Sequence, residues 1–567
     1  MRTIRILLIL VIPILFIGSS VSAQTTVNSS AQEIYLQALK SLESRDISAG
    51  QNQLEQVIAL DSTHQKATLD LMRIYFAQRN YAEAENLAKR LIKLQPEDES
   101  NWIALADIYK ATENYQELLN VFDTLIQLKP DNPAFYYDKA FALSLAENFD
   151  ASLDLYKQIE KRFGVDDQLF MARKDIYMRQ NNTKKAISEA KDYLAYKPED
   201  SNPYLMMANL YLDIGEPKEA LKVLNKAESK FPNEAYISLT KADAFHSLKM
   251  NDEVFIELKK TFANESLPIA VKIRTIYNIL QEYDEATSLY MSEELSKTLV
   301  ESHPESADAQ AVYGDIMLQV GKYEDAHAAF LKALSFNKTL DFIWEQLLQL
   351  EVSMNKLEDA QKHGLEAVDL FPVNPNILLY TGYAHLLDQK YAVARSFLEE
   401  ALNRANPENS SLMVQIYSSL GDTYHALEMD ATSNVAYEEA LKIDSNNTYV
   451  LNNFAYYLAL RKEGLSKAAS MSKKANEINP NNASFQDTYA WVLFQQENYK
   501  EALVWIDKAI KLTERPSSTL IEHKGDILFK LGNEQEALDF WEKARQFPDS
   551  ENNEKLHQKI KEKTYVD

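Results

Sequence analysis

The sequence predicts an all-α solenoid of antiparallel helix pairs. Prolines recur at separations of 34 or 68 residues, as in the series Pro96, Pro130, Pro198 and Pro232. A period of this size is typical of stacked repeat units. Small residues recur in the same register. Glycine is scarce, at 12 of 567 residues, and this disfavours sheets and tight hairpins because both need residues at positive φ.

Each 34-residue unit is predicted to contain two helices joined by a turn. In the unit from Glu99 to Asn132, bulky residues lie three or four places apart and form two helical faces. The first face contains Trp102, Leu105, Ala106 and Tyr109, and the second contains Leu118, Phe122 and Leu125. The segment 130–133 reads Pro-Asp-Asn-Pro and cannot continue a helix, because proline lacks a backbone donor and restricts the preceding residue.

Small residues mark the places where the two helices of a pair must touch, since they let the backbones approach closely. The eighth place of successive units holds Ala106, Ala140, Ala208, Ala242, Gly314, Gly382, Gly421, Ala455, Ala490 and Gly525. The twentieth place holds Ala84, Ala186, Ala220, Ala326, Ala360, Ala394, Ala468, Ala502 and Ala537.

This pattern resembles the tetratricopeptide repeat family from about Ala31 to Pro548. Segment 313–326 contains Tyr-Gly-Asp followed by Gly-Lys-Tyr-Glu-Asp-Ala, and segment 420–424 reads Leu-Gly-Asp-Thr-Tyr, both close to the consensus. The final units look like those of exported bacterial repeat proteins. The resemblance implies about fifteen units in a right-handed superhelix.

Breaks in register suggest the domain organisation. We expect a signal peptide over residues 1–23, an N-terminal array over 31–250 and a C-terminal array over 307–548. Residues 251–306 depart from the period, so irregular helical repeats are predicted there, with longer helices near 269–283 and 285–302. Residues 549–567 should form a capping helix and tail, because an array must cover its last apolar face.

The first 23 residues have the features of an export signal. Arg2 and Arg5 precede an apolar run over residues 6–17, and Val-Ser-Ala at 21–23 supplies small residues before a cut ahead of Gln24. A membrane anchor is the alternative, but a spanning helix needs about 20 apolar residues. Cysteine is absent, so no cysteine can carry a lipid anchor. The expected location is the periplasm or cell envelope, with no transmembrane segment after cleavage.

Composition and motifs favour a binding protein over an enzyme. The net charge of −24 disfavours nucleic acid as a partner because phosphates would be repelled. No two glycines lie closer than seven residues apart, so a phosphate-binding loop is absent, and no histidine has another within four residues. We therefore predict no catalytic residue, no cofactor and no metal site.

Partner-binding residues are expected on the first helix of each pair, at the second, fifth, sixth, ninth and twelfth places. The richest set lies late in the chain and consists of Asn452, Asn453, Tyr456, Asp487, Trp491, Phe494, Tyr380 and Tyr383. Weaker candidates are Arg73, Tyr137 and Asp175. The asparagines could bind a peptide backbone and the aromatic rings could anchor it. The alternative is that these aromatic residues belong to the core.

The leading hypothesis is an extracytoplasmic scaffold or adaptor that binds proteins during envelope assembly or maintenance. Two peptide-binding arrangements of the family are not reproduced here: a lysine, arginine and asparagine clamp for a carboxylate, and an asparagine at the sixth place of nearly every unit. The alternative function is a cell-wall or polysaccharide-binding module in which Tyr456 and Trp491 stack on sugar rings. An enzyme of unfamiliar type ranks last.

Overall fold

The computed structural model describes residues 24–550 and 553–566. Within them the chain forms 31 helices and no strand, which confirms the predicted all-α fold. The signal peptide expected over residues 1–23 lies outside the described residues. Among the described helices, none combines the length and apolarity that crossing a membrane requires.

Short turns connect the helices along the whole described chain. The first fourteen are α1 (Gln24–Glu43), α2 (Ile47–Leu60), α3 (Gln65–Ala77), α4 (Tyr81–Leu94), α5 (Glu99–Ala111), α6 (Tyr115–Leu128), α7 (Pro133–Leu145), α8 (Phe149–Phe163), α9 (Asp167–Arg179), α10 (Thr183–Tyr196), α11 (Asn202–Asp213), α12 (Pro217–Lys230), α13 (Ala235–Ser247) and α14 (Asn251–Ala263).

The later helices follow the same order. They are α15 (Ile269–Glu282), α16 (Glu285–Ser302), α17 (Ala307–Gln319), α18 (Tyr323–Phe336), α19 (Asp341–Ser353), α20 (Leu357–Leu370), α21 (Pro375–Leu387), α22 (Tyr391–Arg404), α23 (Ser410–Ala426), α24 (Asp430–Ile443), α25 (Thr448–Leu460), α26 (Leu465–Ile478), α27 (Ala483–Gln495), α28 (Tyr499–Leu512), α29 (Ser518–Lys530), α30 (Glu534–Ala544) and α31 (Glu554–Glu562).

These helices form fifteen pairs followed by α31, in agreement with the predicted number of repeats. The chain divides into two compact units, Met1–Glu257 and Leu258–Asp567. Within each unit the second helix of a pair packs against its own first helix and against the first helix of the next pair. Short connections of this kind place successive helices antiparallel.

The glycines at the eighth place lie directly against a large side chain sixteen residues later. A Cβ atom added to Gly314 would lie 2.5 Å from the Phe330 ring, and one added to Gly421 would lie 2.6 Å from the Tyr437 ring. Gly382 faces Leu398, and Gly525 faces Trp541 in the same way. The small residue therefore makes room for a side chain of the second helix, which is buried at the twenty-fourth place.

The turn inside a pair almost always contains one residue in the left-handed conformation. Fourteen of the fifteen pairs have at least one such residue. It is glycine alone in three turns, at Gly215, Gly321 and Gly532, with φ between 75° and 87°, and the turn between α25 and α26 contains both Lys462 and Gly464 in this conformation. Elsewhere a side-chain-bearing residue such as Glu113 (φ 54°) takes the place. This geometry reverses the chain within three residues and explains why a low glycine count is compatible with so many turns.

The exceptional pair is α15 and α16, which lies where the sequence loses its period. Tyr283 between these helices has φ −110°, and α16 extends over 18 residues. Lys272 on α15 is fully buried and donates from Nζ to the carbonyl oxygen of Phe262 at 2.7 Å. Burial lowers the pKa of Lys272 to about 8. Lys272 Nζ also lies 2.8 Å from His303 Nε2, directly after α16, so this buried side chain connects α14, α15 and the end of α16.

The last helix covers the end of the array through a buried ionic cluster. Lys559 on α31 lies 2.7 Å from Glu522 Oε1 and 2.7 Å from Asp526 Oδ2, and its side chain is 5% exposed. Trp541 donates from Nε1 to the other oxygen of Asp526 at 2.9 Å. Leu556 packs fully buried beside Trp541. Burial raises the pKa of Asp526 to about 6.

A second buried cluster joins three consecutive helices of the later unit. Glu351 on α19 is fully buried and accepts contacts from His327 Nε2 at 2.8 Å and His363 Nδ1 at 2.7 Å. The hydrogen bond to Glu351 is the main cause that raises the pKa of His363 above its usual value. Both contacting ring nitrogens must carry a hydrogen to donate to this oxygen, which a neutral histidine of the matching tautomer or a protonated histidine provides.

We expect Gly314→Val to destabilise the later unit by about 1–3 kcal/mol, because the added side chain overlaps the Phe330 ring and the core cannot absorb it. Urea unfolding followed by circular dichroism measures the change. Gln319→Val, an exposed substitution at the end of the same helix, is the control. Equal unfolding midpoints for the two variants would contradict the close contact.

The cluster around Glu351 predicts a pH dependence of stability. Because the pKa of His363 is raised in the folded chain, its contribution is complete below about pH 6.5 and is lost as the pH rises through the folded value. Unfolding midpoints should therefore fall between about pH 5.5 and about pH 8.5 more steeply in the wild type than in His363→Gln. Parallel profiles would show that His363 does not titrate against Glu351.

Lys559→Ala should loosen the C-terminal end, because it leaves two carboxylates buried without their cation, at a cost of up to about 3–5 kcal/mol. Hydrogen exchange should show loss of protection in α31 and at the end of α29. The control is Lys555→Ala, on the exposed side of the same helix. Unchanged protection in Lys559→Ala would mean that apolar contacts alone hold the cap.

Candidate protein-binding surfaces

In the unit Met1–Glu257, the first helices α3, α5, α7 and α9 line a run of clefts that we call the N-terminal groove. One cleft of about 490 Å³ includes Arg73, and one of about 840 Å³ includes Tyr137 and Asp175. A smaller cleft between them shares Ile103 with the first and Phe141 with the second. The three weaker sequence candidates therefore line this groove.

Large apolar side chains are exposed along the N-terminal groove. Ile103 is 39% exposed, Phe141 is 48% exposed and Met171 is 44% exposed, and they come from three consecutive first helices. Asp107 lies beside them, and burial raises the pKa of its carboxyl group. Contiguous exposed apolar surface with a polar border is characteristic of interaction sites.

The three sequence candidates in this groove differ in how accessible their polar atoms are to a partner. Tyr137 is buried and donates its hydroxyl to Asp166 Oδ1 at 2.8 Å. Asp175 is exposed and pairs with Lys174 at 2.7 Å. Arg73 is the most accessible, with 66% of its side chain exposed. Arg73 and Asp175 can meet a partner directly, whereas Tyr137 supports the wall.

In the later unit, α21, α23 and α25 enclose a cleft of about 220 Å³ that we call the tyrosine cleft. Two sequence candidates, Tyr380 and Tyr383, line it from α21 and are partly exposed. Tyr449 on α25 closes the opposite side and is 44% exposed. The remaining lining consists of Leu379, Gln415, Ser418 and Ser419.

Asp422 on α23 organises the side of the tyrosine cleft. Tyr449 donates its hydroxyl to Asp422 Oδ2 at 2.6 Å, and Tyr437 donates to Oδ1 at 2.5 Å. Two weaker donors, Asn453 Nδ2 and the Tyr457 hydroxyl, both reach Oδ1 at 3.2 Å. Burial and the nearby carboxylate of Asp422 raise the pKa of Tyr449 and of Tyr457. One carboxylate therefore holds the rings of Tyr437, Tyr449 and Tyr457 in place, and of these Tyr449 lines the cleft.

The two asparagines predicted to bind a peptide backbone are instead used inside the protein. Asn452 is 6% exposed and donates from Nδ2 to Asn453 Oδ1 at 3.3 Å. Asn453 in turn donates to Asp422. The first helices of neighbouring pairs are in contact at this place. The two amides were expected to face a ligand, and they point toward the adjacent helix instead.

The structure also buries Trp491 and Phe494, two aromatic residues of the predicted patch. Trp491 is 7% exposed and stacks between Phe494, at 4.7 Å, and His523, at 4.0 Å between ring centroids. Phe494 is 3% exposed and lies 5.6 Å from the Tyr565 ring of the C-terminal tail. These rings pack the array because α29 and the tail cover them, and they present no open face for a sugar ring.

Asp487 and Tyr456 remain partly accessible near this stack. Asp487 pairs with His523 Nδ1 at 2.8 Å. Tyr456 lies 6.4 Å from the His523 ring, and burial raises its pKa to about 12. Of the predicted late patch, the members with exposed surface are thus Tyr380, Tyr383, Asn453, Tyr456 and Asp487. Their role in binding stays a prediction.

Sequence analysis missed the residues that complete the tyrosine cleft. Gln415 and Tyr449 occupy the second place of their units, and Asp422 occupies the ninth. All three fall on the places chosen for partner binding, so the positional rule could have found them. Within the described residues, no group of three or more histidine and carboxylate side chains is arranged to hold a metal ion.

Comparison with protein families gives four matched segments. Three models of the tetratricopeptide repeat match the chain: one at residues 41–108 and 177–243, one at residues 346–410 and one at residues 102–133. Each matched segment coincides with helix pairs of the kind described above.

Curated proteins with detectable similarity also contain this repeat or belong to complexes. The BBSome complex member BBS4 of Bos taurus is 23% identical over 358 residues, which are 56% of this chain and 67% of that protein. A TPR repeat-containing protein of Methanocaldococcus jannaschii is 24% identical, over 40% of this chain and 48% of that protein. The anaphase-promoting complex subunit CDC16 of Saccharomyces cerevisiae is 23% identical, over 42% of this chain and 28% of that protein.

Similar solved structures include the APC/C hetero-tetramer Cut9–Hcn1, with a TM-score of 0.37, 16% identity and coverage of 82% of this chain and 96% of that chain. A tetratricopeptide repeat protein from Parabacteroides merdae has a TM-score of 0.37 and 15% identity, covering 46% of this chain and 99% of that chain. The repeat protein YrrB has a TM-score of 0.27 and 26% identity, covering 33% and 92%.

The fifteen helix pairs, the small residues at fixed places and the four matched segments agree with one another. The chain belongs to the tetratricopeptide repeat family.

Proposed function

We propose that the chain is an exported, non-catalytic scaffold that binds protein partners along the first helices of its repeats. The observation that carries this proposal is the exposure of large side chains on those helices. Phe141 and Met171 in the N-terminal groove and Tyr449 in the tyrosine cleft are each more than two-fifths exposed. Large apolar and aromatic side chains contribute most of the binding energy of protein interfaces. Exposing such side chains to water in a cleft adds little to the stability of the folded chain, so their exposure indicates an interaction site.

Two further observations support this assignment. The repeat family supplies extended binding surfaces because each unit contacts only its neighbours and leaves one side of the stack open. Two relatives are members of multi-subunit assemblies, the BBSome and the anaphase-promoting complex. A glycan-binding function is less well supported, because the stack around Trp491 leaves it 7% exposed.

The proposed location is the periplasm of a Gram-negative cell, with a role in envelope assembly or maintenance. The basic and apolar N-terminal segment supports export, and the absence of cysteine from the sequence leaves no site for a lipid-modified cysteine. Cell fractionation with mass analysis of the N-terminus tests this: the mature chain should be recovered outside the cytoplasm and begin at Gln24. An intact N-terminus in the cytoplasmic fraction would overturn the export assignment.

Site-specific photo-crosslinking in the native cell tests the scaffold function. With a photoreactive phenylalanine analogue at Phe141 or at Tyr449, we expect discrete covalent adducts with partner proteins, because these side chains line the proposed binding surfaces. Mass spectrometry identifies the adducts.

The matched control positions are Leu365 and Val504, which lie on second helices and are 50% and 53% exposed. Adducts formed equally from all four positions would indicate random collisions. A chain that yields no adduct from either first-helix position would overturn the scaffold proposal.

A further inference from the structure

The tyrosine cleft lacks any charged side chain in its lining. Its wall consists of the rings of Tyr380, Tyr383 and Tyr449, one leucine, two serine hydroxyls and the amide of Gln415. Such a lining offers ring faces together with several hydrogen-bond acceptors. The faces of tyrosine rings carry negative electrostatic potential and attract cations.

Two carboxylates lie near enough to these rings to act on them electrostatically, and among the described residues neither carboxylate pairs with a lysine or arginine. Asp422 receives its hydrogen bonds from three tyrosines and one asparagine. Glu345 on α19 receives its hydrogen bonds from Asn374 Nδ2 at 2.7 Å and Asn376 Nδ2 at 3.0 Å. Neutral donors can orient a carboxylate, but they leave its negative charge uncompensated.

The charges of these carboxylates reach the cleft. Burial and, after it, the carboxylate of Glu345 raise the pKa of Tyr380. Burial and the carboxylate of Asp422 raise the pKa of Tyr383 in the same way. Burial disfavours a charge of either sign, whereas the carboxylates disfavour only added negative charge at these rings, so the cleft favours a basic ligand over an acidic one.

The chain itself shows how the same place accepts a cation elsewhere. Asp526 occupies the ninth place of its unit, as Asp422 does, and each follows a glycine at the eighth. At Asp526 the cation is Lys559 of the C-terminal helix, 2.7 Å away. No helix that the structure describes supplies a lysine or arginine to Asp422, whose partners there are all neutral.

We propose that the tyrosine cleft binds a basic side chain of a protein partner, which lies against the tyrosine rings and compensates Asp422 and Glu345. The serine hydroxyls and the Gln415 amide oxygen accept hydrogen bonds from its N–H groups. This inference rests on the proposed scaffold function and specifies the chemistry of the partner at one of its surfaces. Cation–π contact and charge compensation act together, because the ring faces and the carboxylates attract the same charge.

The experiment compares three acetylated, amidated pentapeptides, Gly-Ser-X-Ser-Gly, with arginine, citrulline or glutamate at X. Citrulline keeps the shape of arginine and most of its hydrogen bonds but carries no charge. Binding to the mature full-length chain is measured by saturation-transfer NMR. We expect the arginine peptide to bind roughly 3- to 30-fold more tightly than the citrulline peptide, and the glutamate peptide to bind most weakly.

Two variants locate the effect. In Tyr380→Leu/Tyr383→Leu the rings are lost and apolar volume is kept, so the preference for arginine should fall toward unity. Tyr323→Leu, 54% exposed on α18 and outside the cleft, is its control. Glu345→Gln removes one charge, keeps the shape of the side chain and retains one of the two acceptor oxygens, and it should weaken arginine binding. Glu358→Gln, on the exposed start of α20, is the matched charge control.

Thermal unfolding monitored by circular dichroism confirms that each variant remains folded before binding is compared. Equal binding of the arginine and citrulline peptides would overturn the inference, and so would an arginine preference that survives the double tyrosine substitution. Either result leaves the scaffold function intact if photo-crosslinking still recovers a partner from Tyr449. Loss of adducts from every first-helix position would instead remove the scaffold function itself.

Discussion

The contact between the eighth and twenty-fourth places of each repeat is the constraint on which the rest of the structure depends. Protein interiors are packed to high density, so a small residue at the eighth place leaves room for a large side chain at the twenty-fourth. Gly314 admits the Phe330 ring, Gly421 the Tyr437 ring and Gly525 the Trp541 ring. The volumes of the residues at these two places set how closely the two helices of a pair approach each other, and the directions of the helices follow from that contact.

This packing also determines where the polar residues of the first helices point. Asp422 follows Gly421 directly and Asp526 follows Gly525, so each carboxylate emerges next to the closest approach of two helices. Both side chains are therefore buried, at 8% and 1% exposure. A buried carboxylate requires hydrogen bonds or a counter-charge. Tyr437 and Trp541, the rings that fill the glycine spaces, supply one hydrogen bond each.

The fold could be predicted because its repeating constraints act at fixed sequence distances. The period of 34, the small residues and the prolines all report the geometry of a single pair. The turn conformation could not be predicted in the same way, since residues such as Arg79 and Glu113 take a left-handed conformation that is usually associated with glycine. The irregular pair α15 and α16 was predicted as a break in register, but the repeat pattern could not predict that Lys272 is buried there.

For the candidate site, the sequence could predict only which positions of the repeat are available for binding. The positional rule chose Tyr380 and Tyr383, which line a cleft, and also Asn453 and Trp491, which bind or stack on neighbouring first helices. A repeat pattern describes one unit at a time and does not specify which side chains meet between units. Asp422 at the ninth place and Tyr449 at the second also fall on the chosen places, and only their contact with each other distinguishes them from the rest.

The equivalent carboxylates of the later unit show how one repeated place can acquire different functions. Asp315 accepts a hydrogen bond from the Tyr277 hydroxyl at 3.3 Å, and burial raises its pKa. Asp526 is neutralised by Lys559 of the last helix. Among the described residues Asp422 resembles Asp315 and differs from Asp526, because its hydrogen-bond donors are all neutral. An array with a net charge of −24 gains stability wherever it can compensate such a charge, and at the end of the chain it does so with its own lysine. At the tyrosine cleft the compensating charge has to come from another molecule, so the same arrangement that closes the array at one place leaves a binding site at the other.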